Sequence, residues 1–127
     1  MSWQSYVDNS LVGTGKVQKA AIFGLDGSPW ASSPGFSVSQ PEAQEMIKSL
    51  KDGSVSGKNI AGTKYMMLRN DKDKKAAYLK MKDKGGFCAC LTNKALILGG
   101  YDESAGGAGN CNQCVETVAE HLIASGF

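Results

Sequence analysis

With 127 residues, 42% apolar and 20% charged, the chain has the make-up of one compact domain over residues 1–127, able to fold without disulfide or metal staples. It has no apolar run of the ~18 residues needed to span a bilayer, and no basic stretch leads into an apolar signal segment, so the expectation is a cytoplasmic protein with four reduced cysteines. The net charge of +2 hides an asymmetry: Lys64 to Lys94 holds nine basic residues against three acidic ones, a block of +6, while the remainder sums to −4.

The opening M-S-W-Q-S-Y-V-D-N places two large aromatics where a chain usually frays, so Trp3 and Tyr6 need a partner, either the core or another molecule. Ser2 suits a helix cap, and Trp3, Tyr6, Val7 and Ser10 follow helical spacing to about Val12, where Gly13-Thr14-Gly15 ends the pattern. Val17 to Gly24 reads as a strand, Leu25 to Ser28 as a tight turn, and the next strand carries Trp30. Pro34-Gly35 interrupts before a further short extended piece. Ser39-Gln40-Pro41-Glu42 has the residues of a capping box with proline in the first turn, which predicts a helix to about Leu50, ending before Asp52-Gly53.

From Ile60 onward the pattern turns to strands at about Lys64–Arg69, Ala76–Lys82, Phe87–Leu91 and Ala95–Tyr101, with turns at Asn70-Asp71 and Lys84-Gly85-Gly86. Such short connections imply antiparallel neighbours. After a loop over 102–109, a final helix from about Asn112 to Ser125 puts Val115, Val118, Ala119, Leu122 and Ile123 on one face. The order predicts an α+β fold, a central antiparallel sheet with helices on its faces.

Four cysteines invite a metal or redox reading. Cys88 and Cys90 share one face of a predicted strand, and Cys111 and Cys114 form C-x-x-C at a helix start, so a thiol- or zinc-binding protein is the alternative function. The C-x-C spacing departs from the usual zinc pattern, and small residues in a sheet and on a helix account for all four. The Gly-rich stretch Gly99 to Gly109 lacks the Lys-Ser/Thr of a phosphate loop, and His121 has no Ser or Asp arrangement beside it, so no catalytic set assembles and no cofactor is called for. A binding protein, not an enzyme, is expected.

The aromatics carry the positive signal. Placing the first and last helices side by side would make Trp3, Tyr6, His121 and Phe127 neighbours, with Trp30 rising from the strand beneath. Rings with polar tips suit polyproline II, which is already stiff and offers unpaired carbonyls. The same rings would also pin the two ends to the core, and both roles can hold together. The basic block equally fits an acidic protein, phosphoinositide headgroups or nucleic acid, or a solvated hairpin laced with ion pairs.

M-S-W-Q-S-Y-V-D-N with L-V-G-T-G, A-A-I-F-G-L-D-G with S-P-W-A, G-T-K-Y-M-M-L-R-N-D, and the closing H-L-I-A-S-G-F together resemble the profilin family, in order and over essentially the whole chain. The likeness is greatest to the short profilins of lower eukaryotes. It implies a sheet sandwiched by helices, with the N- and C-terminal helices packed together on one face. It also implies binding of monomeric actin, regulation of actin polymerisation, a separate groove for proline-rich proteins such as actin elongation factors, and affinity for phosphoinositides; nucleic acid is not implied.

Carried over by position, the polyproline residues are Trp3, Tyr6, Trp30, His121 and Phe127, the last standing where tyrosine is frequent. The actin residues are Arg69, Tyr78, Lys80, Thr92, Lys94, Asn112, Gln113 and Glu116, and the phosphoinositide residues Lys72, Lys74, Lys75, Lys80, Lys82 and Lys84. The resemblance implies a monomer that meets actin 1:1. Two departures stand out: Leu91 where relatives commonly have a base, which weakens one ion pair, and a 71–84 segment longer and more lysine-rich than usual, so that the resemblance defines the face and not its individual contacts.

Overall fold

A computed structural model describes residues 3–71, 73, 75–81, 85–102 and 107–127, with the side chains of 107 and 108 excepted. The elements run α1 (Trp3–Ser5), a π-helical segment (Tyr6–Leu11), a 3-10 turn (Val12–Thr14), β1 (Lys19–Gly24), β2 (Pro29–Ser32), α2 (Gln40–Asp52), β3 (Lys58–Ile60), β4 (Thr63–Asp71), β5 (Ala76–Met81), β6 (Gly85–Leu91), β7 (Ala95–Tyr101) and α3 (Gly107–Ala124). The strands form one antiparallel sheet in the order β2-β1-β7-β6-β5-β4-β3.

The central strands are buried on both faces, and the period of two sorts their side chains. Ala20, Ile22, Cys88, Cys90, Ala95 and Ile97 point to one face, where they pack with Val7 and Leu11 of the N-terminal segment and Val115, Val118 and Leu122 of α3. Ala21, Phe23, Leu79, Phe87, Leu96 and Leu98 point to the other, against Met46, Ile47 and Leu50 of α2. Residues one apart in sequence thus feed two separate cores, and the N- and C-terminal helical segments share one of them, as the resemblance implies.

Local chemistry sets the element ends. The Ser39 hydroxyl accepts from the Glu42 amide at 3.4 Å while the Glu42 carboxylate accepts from the Ser39 amide at 2.9 Å, the predicted capping box. At the other end Gly53 closes α2 in the left-handed region at φ 77°, which lets the helix run two residues past Leu50.

Several expectations are corrected. The first helix is not one α-helix: the Val12 amide donates to the Val7 carbonyl, five residues back, because helical spacing over two turns does not separate the α from the wider π form. The first strand begins at Lys19, and the piece after Pro34-Gly35 forms no strand. Asn70 and Asp71 are strand residues paired with Ala77 and Ala76, and Gly85 and Gly86 pair with Met81 and Lys80, so ladder formation overrides their turn chemistry. The three-residue β3 was not foreseen, since Lys-Asn-Ile carries no alternation to read. Helix α3 starts within the Gly-rich stretch, at Gly107 and not near Asn112. The Ser2 cap and most of the loop before α3 lie outside the described residues. Among those described, no helix is long and apolar enough to cross a membrane.

Candidate functional site

Because the N-terminal segment and α3 lie together on one face, their aromatic side chains converge beside the outer strand β2. Trp3 sits 4.9 Å from Trp30, 5.4 Å from Phe127 and 5.9 Å from Tyr6, centroid to centroid, and Tyr6 lies 6.2 Å from His121. Trp3 meets Phe127 edge-on at 84°, a favourable arrangement of ring quadrupoles. All five residues named for proline binding therefore form one continuous strip. Trp30 and Phe127 are 41% and 39% exposed, and Trp3 and Tyr6 half-buried, so the rings anchor the helices with one edge and present the other to solvent.

Three features hold the strip open. Gly24 of β1 lies under Trp30, where a Cβ would come within 2.9–3.0 Å of the indole, so only glycine lets the ring lie down on the strand. Gln4 donates to the Ser32 carbonyl at 3.0 Å and to the Asp8 carboxylate at 3.0 Å, fastening α1 to β2. The backbone oxygen of Phe127 accepts from the Thr92 hydroxyl at 2.7 Å and from the Lys94 amide at 2.6 Å, and the Lys94 ammonium lies 5.8 Å from the Phe127 ring centre. Sequence reading missed Gly24 and Gln4. A glycine at a strand end and a lone glutamine announce nothing until the ring and carbonyl they serve are in place.

The residues named for actin divide. Arg69 of β4 lies over the Tyr78 ring of β5 at 5.6 Å, and the Tyr78 hydroxyl donates to the Glu116 carboxylate of α3, so one connected cluster spans two strands and the helix. Burial, then the bond to Glu116 and its negative charge, push the Tyr78 phenol pKa well up, keeping the hydroxyl a donor. Lys80 follows on the same strand, exposed and paired in register with Met66.

Lys94 stands apart from this cluster, at the β6–β7 turn beside Phe127. Asn112 is half-buried, with a buried side-chain oxygen that has no partner among the described residues, and Gln113 is exposed at a groove next to Tyr6. Thr92 is the correction: it is 3% exposed, its hydroxyl donates to Phe127 and accepts from the Ala95 amide at 3.0 Å, and so it serves the fold and not an exposed face.

Of the lysines named for phosphoinositides, Lys75 and Lys80 are exposed, while Lys72, Lys74, Lys82 and Lys84 lie outside the described residues. Arg69 also pairs with Asp71 at 3.2 Å, an exposed contact worth little to stability.

The four cysteines are free and buried in the same core, with the Cys88 and Cys90 sulfurs 3.9 Å apart. Their contact and their burial push the Cys88 thiol up, and burial pushes Cys111 up to about 12, so both hold their protons at neutral pH, where a free-thiol nucleophile must lose them. Cys111 donates toward the Gly99 carbonyl and Cys114 toward the Ser10 carbonyl, at 3.5 and 3.4 Å. Among the described residues, no group of three His, Cys, Asp or Glu side chains is placed to hold a metal.

The profilin family model matches residues 1–127. Profilin-2 of Acanthamoeba castellanii is 41% identical over 130 aligned residues, covering 100% of both chains. The crystal structure of Acanthamoeba castellanii profilin II superposes with a TM-score of 0.92 at 40% identity, over 99% of this chain and 100% of that one. At lower identity the fold recurs in mouse profilin IIa in complex with a double repeat from the FH1 domain of mDia1 (TM-score 0.76, 21% identity, 100% of both chains) and in a LokiProfilin2/rabbit actin complex (0.78, 19%, 98% of both). With its family model matched end to end and both helical termini gathered on one face of the sheet, the chain belongs to the profilin family.

Proposed function

We propose that this protein binds monomeric actin and regulates its polymerisation, and that it links actin monomers to proline-rich partners through the aromatic strip. The observation that carries the reading is the strip itself: five rings from β2, the N-terminal segment and the end of α3, in mutual contact yet half open. A polyproline II ligand loses little entropy there, stacks its rings on the indoles and accepts from the Tyr6 hydroxyl and indole N–H groups through its free carbonyls. Family membership supports the same reading, as do the FH1-bound and actin-bound relatives that share the fold.

Actin takes the face around Arg69, Tyr78, Lys80 and Glu116, with Lys94, Asn112 and Gln113 at its margins. Positive charge on this face speeds encounter with an acidic partner and fixes its orientation. From β2 to β5 the sheet order makes four strand spacings, roughly 19 Å, so a monomeric protein can hold one actin and one proline-rich segment together. The chemistry is delivery, with no bond made or broken by these residues.

Phosphoinositide headgroups compete for the lysines of the same block, Lys72, Lys74, Lys75, Lys80, Lys82 and Lys84, giving a salt-sensitive switch at a cytoplasmic membrane surface. Titrating a polyproline peptide against the fluorescence of Trp3 and Trp30 tests the reading. Quenching or a spectral shift is expected, and an unchanged spectrum at millimolar peptide would sink it. Binding of monomeric actin at two salt concentrations tests the basic face, with weaker binding expected at the higher.

A further inference from the structure

We infer that the groove running on from the aromatic strip reads the sequence beside the proline run, and that its occupant is an acidic residue about four positions beyond the proline seated at Tyr6 and His121. The inference rests on the proline-binding reading of the strip. The groove has a volume of about 450 Å³ and lies between the N-terminal helical segment and α3. Tyr6 and His121 belong to both strip and groove, so a ligand leaving the rings enters it directly.

Beyond those two rings the part of the lining open to solvent turns polar, to Ser10, Thr14, Lys16, Gln113 and Thr117, with Gln113 adding a neutral amide donor to the Lys16 charge. The Thr14 hydroxyl donates to the Leu11 carbonyl at 2.7 Å and the Thr117 hydroxyl to the Gln113 carbonyl at 2.7 Å, so neither has a proton left for a ligand. The strongest donor that remains is the exposed Lys16 ammonium, which has no ion pair among the described residues. No carboxylate lines the groove. A site with a free cation and no anion selects an acceptor, and a carboxylate is the peptide side chain that matches it.

The spacing follows from two rises. Tyr6 to Thr14 covers eight residues wound as a wide π stretch and a tighter 3-10 turn, whose mean rise is close to the ~1.5 Å of an α-helix. The segment therefore spans about 12 Å and brings the chain to the turn that carries Lys16. Polyproline II advances ~3.1 Å per residue, so about four ligand residues cover that length.

The test uses the full-length protein and peptides of eight prolines, extended at either end by three glycines and then two glutamates, with glutamine counterparts as controls. Trp fluorescence reports affinity. At low salt the glutamate tail, on one of the two ends, should bind about two- to five-fold more tightly than the glutamine tail, the range of an exposed ion pair. The gain should vanish at high salt and in Lys16→Ala, and Lys16→Glu should prefer a lysine tail instead. Lys51→Ala, on the α2 side of the sheet, should keep the gain, which separates the groove from net charge.

All three variants should bind the glutamine-tailed peptide as the wild type does, showing an intact strip. Equal affinity for both tails in the wild type, or a gain that survives in Lys16→Ala, overturns the inference while leaving the proline reading standing. Failure of every peptide to bind overturns both.

Discussion

Gly24→Ala isolates the strip from the rest of the molecule. The added methyl would come within 2.9 Å of Trp30 Cζ2 and 3.0 Å of Cε2 and Nε1, whereas carbon atoms rest at ~3.5–4.0 Å, so the indole must lift by about 0.6–1 Å or swing out. Swinging is open to it, because Trp30 is 41% exposed, and the motion takes it away from Trp3, now 4.9 Å off.

Stability should change little. Alanine in a strand gains about 0.5–1 kcal/mol of backbone entropy over glycine, against the loss of one aromatic pair at about 0.5–1.5 kcal/mol. Proline affinity, which needs both indoles in place, should fall about two- to ten-fold by the same pair energy. Fluorescence titration with a polyproline peptide, run beside urea denaturation, measures both. A matched control is Gly99→Ala, whose methyl would overlap Val115 in the core. That change should cost about 1–3 kcal/mol of stability while sparing affinity per folded molecule. Unchanged proline affinity and indole emission in Gly24→Ala would refute the reasoning, as would an equal loss of proline and actin binding.

Thr92→Val removes the hydroxyl that holds the Phe127 oxygen and caps Ala95, and should cost about 1–3 kcal/mol in urea denaturation, with proline affinity falling beyond what the unfolded fraction explains. Tyr78→Phe leaves the ring under Arg69 but frees Glu116. About 1–3 kcal/mol of stability should go with the bond, and a pyrene-actin assay should show weaker monomer binding while polyproline titrations stay unchanged. Alkaline titration should expose the buried thiols: Cys111 keeps its proton up to about 12 in the folded protein, against 9.0 ordinarily. Above about pH 9 the unfolded chain loses that proton first, so stability falls as pH rises, by up to roughly 1.4 kcal/mol per unit for each such group. Cys111→Ala should flatten the slope seen in urea midpoints between neutral and alkaline pH, and an identical slope in the variant would count against it.

Legibility in the sequence followed the range of the interactions concerned. Ser39 and Glu42 stand three residues apart, so the capping box could be read off directly and the structure has both its bonds. Cys88 and Cys90, two apart in a segment read as a strand, were likewise expected on one face, and the structure sends them to one core and Phe87, Ala89 and Leu91 to the second. The strip residues were legible mainly through the resemblance of whole motifs, since Trp3 and Phe127 are over a hundred residues apart and meet only once the sheet is formed.

What escaped depended on partners distant in sequence. Thr92 looks like a surface threonine until the Phe127 oxygen arrives from the far end of the chain. Asn70-Asp71 look like a turn until the ladder with Ala76 and Ala77 closes and Asn70 donates to the Ser49 and Ser54 carbonyls at 2.7 and 2.8 Å. The π-helical stretch Tyr6–Leu11 escaped because its composition is that of an ordinary amphipathic helix.

Helix α3 has a consequence for how this chain tolerates changes in length. Along a single rod it directs Glu116 toward Tyr78, His121 toward Tyr6 and Leu122 into the core. One residue inserted between Glu116 and His121 would turn everything after it by about 100°, carrying Leu122 out of the core and His121 off the strip while leaving Glu116 in place. Gains and losses of residues are therefore tolerable beside the exposed Asp73 and Lys75, between β4 and β5, where they alter one face alone, and are barred from α3, where a single count keeps two faces in phase.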